Sequence, residues 1–248
     1  TYEAGKLYNV LPSGNRAPDS TDQNSGYDQT RADFDFDRGS NAAASRINSS
    51  GLIEKYRENK LLQSNQFDTT WINIGTSVTS NKTGYDGSND AWLLSKSAVS
   101  ARVQVSLSIS GIKTISLYAK ANESAGVTIR LDGGTNPNVK FDLVNGVLFE
   151  TNGDVIEAKI EPVGNDWYRC SMSTNNAATF LRIYPLDSSG STAPTSGSLY
   201  IQNAQVETGL VATDYLNSTS VTGKAGVLVD LPRINYDANG ENGALLLE

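Results

Sequence analysis

Apolar and polar side chains alternate with a period of two over most of the chain between residues 60 and 208. The clearest stretch is Trp167-Tyr168-Arg169-Cys170-Ser171-Met172, which comes directly after a turn signal at Gly164-Asn165-Asp166. Successive side chains of a strand point to opposite faces, so Tyr168, Cys170 and Met172 share one side and Trp167, Arg169 and Ser171 the other. An aromatic pair just after a tight turn suits a half-buried antiparallel strand. The same pattern predicts strands near 67–74, 90–95, 101–109, 112–120, 125–132, 138–144, 155–162, 166–174, 178–184 and 197–207. The connections carry turn chemistry, among them Tyr85 to Asp90, Asp132-Gly133-Gly134, Asn145-Gly146 and Asn152-Gly153-Asp154. Short strands at this spacing, with almost no helical period, define an all-β chain built on an antiparallel β-sandwich of the jelly-roll kind.

The flanks differ. Residues 2–11 are a short apolar run, and 13–31 are polar and rich in Gly, Asn, Asp and Ser, as in a long loop or arm. Asp33 to Arg38 alternates Phe34 and Phe36 against three aspartates, a one-sided strand. Asp33, Asp35 and Asp37 lack the glycine and distal glutamate of a calcium loop, because Arg38 and Ala44 stand at those positions. Ser45 to Glu54 is a hairpin pattern turning at Asn48 to Gly51, Gly226 to Tyr236 is an apolar strand broken by Pro232, and Ala244 to Leu247 is apolar again. Ser50-Gly51-Leu52-Ile53-Glu54 is echoed by Ala225-Gly226-Val227-Leu228-Val229. The expected organisation is therefore an arm and base segment at 1–58, a sandwich at 59–217 and a second base segment at 218–248, the two ends forming one small β-rich base.

Charge and composition narrow the functions. A formal net charge of −7 is poorly suited to the phosphates of nucleic acid or to an anionic membrane surface, and no apolar run reaches membrane-spanning length. The chain has no histidine, which removes the commonest general base and transition-metal ligand. Its one cysteine, Cys170, lies in a strand on the apolar side and is expected to be a small buried hydrophobe. Neutral partners, a glycan or another protein, fit this balance best.

The strand faces supply candidates. Ile115, Leu117, Val127, Ile129, Phe141, Leu181, Ile183, Leu199 and Ile201 are expected to face the core, leaving Tyr118, Arg130, Lys140, Arg182, Tyr184 and Tyr200 outward. Aromatic rings stack on sugar C–H faces and planar polar groups pair with hydroxyls, so these six form a candidate glycan surface. A solvated sheet face has the same composition and is the plainer alternative. Trp71 and Trp167 stand at strand starts among apolar residues, as core tryptophans do, whereas Trp92 comes after a long turn and is the tryptophan expected to stack on a sugar, with Tyr85 beside it. A glycan-cleaving enzyme would need two carboxylates ~5–10 Å apart across a sugar. Asp132, Asp142, Glu157 and Glu161 are available, but nothing in the spacing pairs any two, and no catalytic role is expected.

Several segments resemble bacteriophage virion proteins of the tail- and head-fibre kind. Leu7-Tyr8-Asn9-Val10-Leu11-Pro12, Asp35-Phe36-Asp37-Arg38-Gly39-Ser40, Arg46 to Glu54, Pro232-Arg233-Ile234-Asn235-Tyr236 and Leu245-Leu246-Leu247-Glu248 are similar to a module common in such proteins. Asn59 to Phe67 with Trp71, Ser116 to Lys120, Asn165 to Arg169, and Gln205-Val206-Glu207-Thr208-Gly209 resemble their sandwich modules, which are similar to jelly-roll carbohydrate-binding modules. The resemblance implies a non-enzymatic protein on the virion surface that binds host-surface glycan, contacts other virion proteins and forms a homo-oligomer. A purely structural decoration or adaptor protein is the alternative. Some modules of this kind hold a structural calcium between first and last strands, for which Asp68 and Glu207 are the corresponding candidates.

Overall fold

The computed structural model describes residues 45–47, 50–226, 233–235, 237–241 and 243–246. The apolar run expected over 2–11, the polar stretch 13–31, the one-sided strand over 33–38 and the apolar stretch 227–231 lie outside the described residues. Among the described residues all regular structure is β-strand. The chain divides into two units, one spanning Arg57–Ala225 and one drawn from the segments on either side.

In the flanking unit, β1 (Ser45–Ile47) and β2 (Ile53–Lys55) pair antiparallel as a hairpin. Gly51 in its turn has φ +74°, and a Cβ there would lie 2.2 Å from the carbonyl oxygen of Ala238, so glycine is required on both counts. The larger unit opens with β3 (Arg57–Asn59). It continues through β4 (Ile72–Ile74), β5 (Thr76–Lys82), β6 (Ala91–Lys96), β7 (Arg102–Ile109), β8 (Lys113–Ala121) and β9 (Gly126–Asp132). Then come β10 (Asn138–Asp142), β11 (Val147–Asn152), β12 (Val155–Gly164), β13 (Trp167–Thr174), β14 (Ala178–Leu186) and β15 (Gly197–Thr208). The unit closes with β16 (Gly223–Ala225), antiparallel to β3. Back in the flanking unit, β17 (Arg233–Asn235) pairs with β18 (Ala244–Leu246) across a turn in which the Asp237 carboxylate accepts the N–H groups of Asn239 and Glu241.

The larger unit is an antiparallel sandwich of two six-stranded sheets. The first runs β11-β10-β9-β14-β7-β4 and the second β12-β13-β8-β15-β6-β5. The inward positions fill one core. Val103, Val127, Ile129, Phe141, Leu181 and Ile183 of the first sheet meet Leu94, Ile115, Leu117, Cys170, Met172 and Ile201 of the second, and all are buried. Loop residues Leu61, Phe67 and Trp71 seal one side, with the Phe67 and Trp71 rings 4.8 Å apart. Cys170 is fully buried, and desolvation holds its thiol far above the ordinary range, so it is packing rather than chemistry.

Two strands are not foreshadowed by alternation. β5 carries one apolar residue, Val78, and β11 leaves Val147 and Leu148 largely exposed. Both are edge strands, held by one neighbour's ladder rather than by a buried face. Conversely, the strand expected from residue 67 begins only at 72, because Phe67 and Trp71 enter the core from turns. The outward face of the second sheet is also not the solvated surface that alternation implies. Ser116, Tyr118 and Gln202 lie there and are buried, because loops cover them.

What joins those loops to the sandwich is a buried amide. Asn59 is fully enclosed; its Nδ2 donates to the carbonyls of Leu216 (2.8 Å) and Ala204 (3.3 Å), and its Oδ1 accepts the N–H groups of Leu61 and Val206 (3.1 Å each). The entry strand, the last long strand and the tail thus meet on one side chain. Replacing it with leucine leaves four buried backbone groups without partners, each costing ~1–3 kcal/mol. Asn59→Leu is expected to destabilise the larger unit by about 3 kcal/mol or more, seen as a lower urea midpoint.

Candidate functional site

Seven of the eight residues expected to contact a glycan divide between the two outward faces of the sandwich. Arg130, Lys140, Arg182 and Tyr184 stand on the first sheet, and Tyr85, Tyr118 and Tyr200 on the second. Trp92 is on neither, and this corrects its expected role. Its ring is buried in the core at 6.1 Å from Phe67, and its Nε1 donates to the Asn65 carbonyl at 3.0 Å. The turn before it, which suggested exposure, folds back over the sheet instead of opening the ring to solvent.

On the first sheet the strand register builds an ordered polar row. Arg130 of β9 and Arg182 of β14 are direct cross-strand partners; Arg182 faces Gln104 of β7 on its other side, and Arg130 faces Asn138 of β10. One step along, Thr128 lies between Lys140 and Tyr184. Like charges directly opposite one another repel. Here a single carboxylate answers both, Asp132, at 3.1 Å from Arg130 Nε and 2.5 Å from Arg182 Nη2. The side chain of Asp132 is 18% exposed and that of Arg182 20%, so solvent screens them only in part. Lys140 pairs with Glu150 at 2.6 Å.

Aromatic rings complete this face. The Arg182 guanidinium lies 5.8 Å from the Phe180 ring, and that of Arg102 lies 5.8 Å from the Tyr184 ring while its Nε donates to Gln104. Two buried polar atoms on the row are left without partners, Thr128 Oγ1 and Arg182 Nε. The face therefore presents four cations (Arg102, Arg130, Lys140, Arg182) against two carboxylates, with planar donors beside two rings. Planar donors of this kind can pair with hydroxyls and with anionic groups. Sequence reasoning missed Arg102, Gln104, Thr128 and Phe180; Phe180 and Thr128 share the outward positions of β14 and β9 and could have been found by extending the same alternation.

On the second sheet, Tyr118 and Trp167 are buried in a separate aromatic cluster with Tyr85, Tyr200 and Tyr215 packed against it. Tyr85 stacks on Tyr118 at 3.9 Å, almost parallel, and Tyr200 lies 6.4 Å from Trp167. Arg169 reaches from β13 to the carbonyls of Ala212 and Thr213, which pins the tail over this face. Burial pushes the Tyr118 hydroxyl up to about 12 against the opposing pull of Arg169, and burial likewise pushes Tyr215 to about 12.

The residues expected to hold calcium serve other ends. The Glu207 carboxylate accepts Thr213 N, Thr213 Oγ1 and Gln205 Nε2, all within 2.8 Å, which ties the tail to β15. Asp68 lies in an exposed turn, bonded to Thr69. Among the described residues, no three acidic or thiol side chains converge as a metal site. Three of the four carboxylates considered for hydrolysis are engaged: Asp132 with two arginines, Asp142 with the N–H groups of Val144 and Asn145, and Glu157 with Lys159.

No protein-family model matches the chain, and comparison with curated proteins finds no relative. Among solved structures, the CBM22-1–GH10 modules of Clostridium thermocellum endo-1,4-β-D-xylanase 10B, complexed with xylohexaose, align with 66% of this chain and 30% of theirs, at 16% identity and a TM-score of 0.36. The enzymatically active domain of bacteriophage CBA120 tailspike protein 4 aligns with 62% of this chain and 21% of its own, at 15% identity and a TM-score of 0.37. The catalytic domain of a GH87 α-1,3-glucanase, in complex with tetrasaccharides, aligns with 70% and 30%, at 15% identity and a TM-score of 0.30. In each case the aligned part spans less than a third of the other structure's length.

The geometry sets two expectations. Asp132→Asn leaves Arg130 and Arg182 facing each other without a counter-charge. We expect a loss of about 1 kcal/mol, read from urea midpoints and shrinking as salt is raised. Tyr118 and Tyr215 keep their protons in the folded chain to about pH 12, whereas an unfolded tyrosine ionises at about 10. The stability they contribute is complete below pH ~10 and is lost as pH climbs toward 12. Ultraviolet titration should find two late-ionising tyrosines, with unfolding midpoints falling over that window.

Proposed function

We propose that this chain is a non-enzymatic surface protein of a bacteriophage virion, and that its sandwich binds a glycan of the host surface along the Arg130–Arg182 row. The carrying observation is that two guanidiniums are placed in direct register and left with one shared carboxylate. That pair is costly for folding alone, and an anionic or hydroxyl-rich ligand laid across it supplies the missing acceptors. Phe180 offers a half-buried ring beside those donors, and Thr128 Oγ1 and Arg182 Nε are unpaired. The engagement of Asp132 with two arginines and of Asp142 with backbone N–H groups supports binding without cleavage. The virion setting rests on the sequence resemblance, as do the expected contacts with other virion proteins and with copies of the same chain.

The test is a glycan array probed with the full chain, its oligomeric state fixed by light scattering on the same preparation. Acidic glycans are expected among the hits, with at least tenfold weaker binding by Arg182→Ala and Arg130→Gln and a steep loss with salt. An array without hits, from folded and assembled protein, would turn the reading to a decoration or adaptor protein that binds no sugar.

A further inference from the structure

The second sheet carries a cavity of about 670 Å³ whose chemistry is the opposite of the arginine row. Its walls include the rings of Tyr85, Tyr118 and Tyr215 and the carboxylates of Asp86, Asp90 and Asp214, and no lysine or arginine lines it. Arg169 approaches the Tyr118 ring at 5.5 Å, with its Nη1 and Nη2 committed to the tail carbonyls and Ser116 and its Nε buried without a partner.

An irregularity in the longest strand places a residue with a buried, unpartnered acceptor in the wall of this space. The register of β15 against β8 shifts between Gln202 and Gln205, and Asn203 in that bulge adopts φ +56°, a left-handed conformation that asparagine tolerates at some cost. Asn203 is 5% exposed and lines the cavity, its N–H is given to Asn65 Oδ1, and its own Oδ1 has no partner. Such an atom is costly to leave unsatisfied. The nearby carboxylates are positioned by the scaffold. Asp90 receives Asn65, Ser88 and Gln202, and Asp86 Oδ1 receives Ser88 N and Oγ. The Asp214 carboxylate accepts no hydrogen bond from the described residues.

The lining therefore combines acceptors, among them Asp214 and Asn203 Oδ1, and the side-chain amides of Gln66 and Asn217 with a negative charge balance beside stacked ring faces. Hydrogen-bond donors satisfy the acceptors, a positive charge the charge balance, and both are supplied by an ammonium group. We propose that this cavity is a second binding site, independent of the arginine row, and that it takes a protonated primary amine on a small hydroxyl-bearing carrier, as in an amino sugar.

The probes are D-glucosamine, N-acetylglucosamine and glucose, which share a ring and differ in charge. Each is titrated into the isotopically labelled full chain while the Asn203 side-chain amide signals are tracked by NMR, with affinity from calorimetry. Glucosamine is expected to shift the Asn203 signals saturably, to bind at least tenfold more tightly than the two neutral sugars, and to weaken as salt is raised. Asp214→Asn, an exposed change that does not threaten the fold, should cut glucosamine affinity at least threefold, and Tyr85→Ala should do likewise. Equal binding of all three sugars, indifference to Asp214→Asn, shifts confined to the Arg182 face, or no saturable shift for glucosamine would each overturn the proposal. An array result against glycan binding at the arginine row leaves this experiment unaffected, because its readout is local to Asn203.

Discussion

A single buried amide holds the larger unit closed. Asn59 spends both donors and both acceptor positions on backbone groups that belong to three separate segments. β15 cannot run straight through this contact. Between Gln202 and Gln205 it bulges, and there Ala204 offers its carbonyl to Asn59 and its N–H to the carbonyl of Ser64. The ladder of β15 with β6 ends at Ile201, so from there on β15 is paired only with β8 and its other edge is free for the entry segment and the tail. Ser64 and Ser218 reinforce the junction, each bonding the other's segment from a fully enclosed position. The same bulge sets Asn203 and Gln202 on the outward face, where Gln202 holds the loop from Tyr85 to Asp90 through Tyr85 N, Ser88 and Asp90.

The consequence is a sandwich with two unlike outer surfaces. Both inner faces are spent on the core and neither can carry function. On the second sheet, loops and tail are drawn down onto the strands, which buries aromatic rings and leaves a cavity lined by three aspartates and several amides. On the first sheet, β9, β14 and β7 keep a row of long cationic side chains in register, partly screened and partly open. The protein is acidic overall, so clustering four cations on one face sets that face apart from its own background field. Opposite charge on opposite faces also means that the two surfaces do not compete for one kind of ligand.

Alternation made most of the fold legible before any coordinates. β7, β8, β9, β13, β14 and β15 stand where the pattern placed them, and their inward residues are the ones in the core. The pattern was silent on β5 and β11, because an edge strand's ladder needs no apolar period. It was wrong about Trp92, because a turn that reads as exposed can double back and cover the strand after it. The candidate residues were individually visible as outward positions, but their grouping was not. Arg130 and Arg182 are fifty-two positions apart, and only the pairing of β9 with β14 makes them neighbours. The cavity on the second sheet was less legible still. It depends on a left-handed asparagine in a bulge, and no local turn signal marks that position.

The segments that resemble virion sandwich modules now have physical roles, and those roles concern the fold rather than a ligand. In Asn59 to Phe67, Asn59, Ser64 and Asn65 bind backbone groups, while Leu61 and Phe67 fill the core. In Asn165 to Arg169, Asn165 and Asp166 take positive φ to make the turn, Trp167 anchors the outer cluster, and Arg169 grips the tail. In Gln205 to Gly209, Gln205 and Glu207 hold Thr213 and Leu216. These three of the four segments fasten the tail or the entry strand to the second sheet, and the fourth, Ser116 to Lys120, lies within β8 of that sheet. A sequence likeness carried by such fasteners identifies how a sandwich is closed and says little about what it binds. None of the four residues of the arginine row belongs to these segments. Arg130, Lys140, Arg182 and Tyr184 can therefore change without loosening the clamp, since their contacts lie on strands that the clamp does not touch.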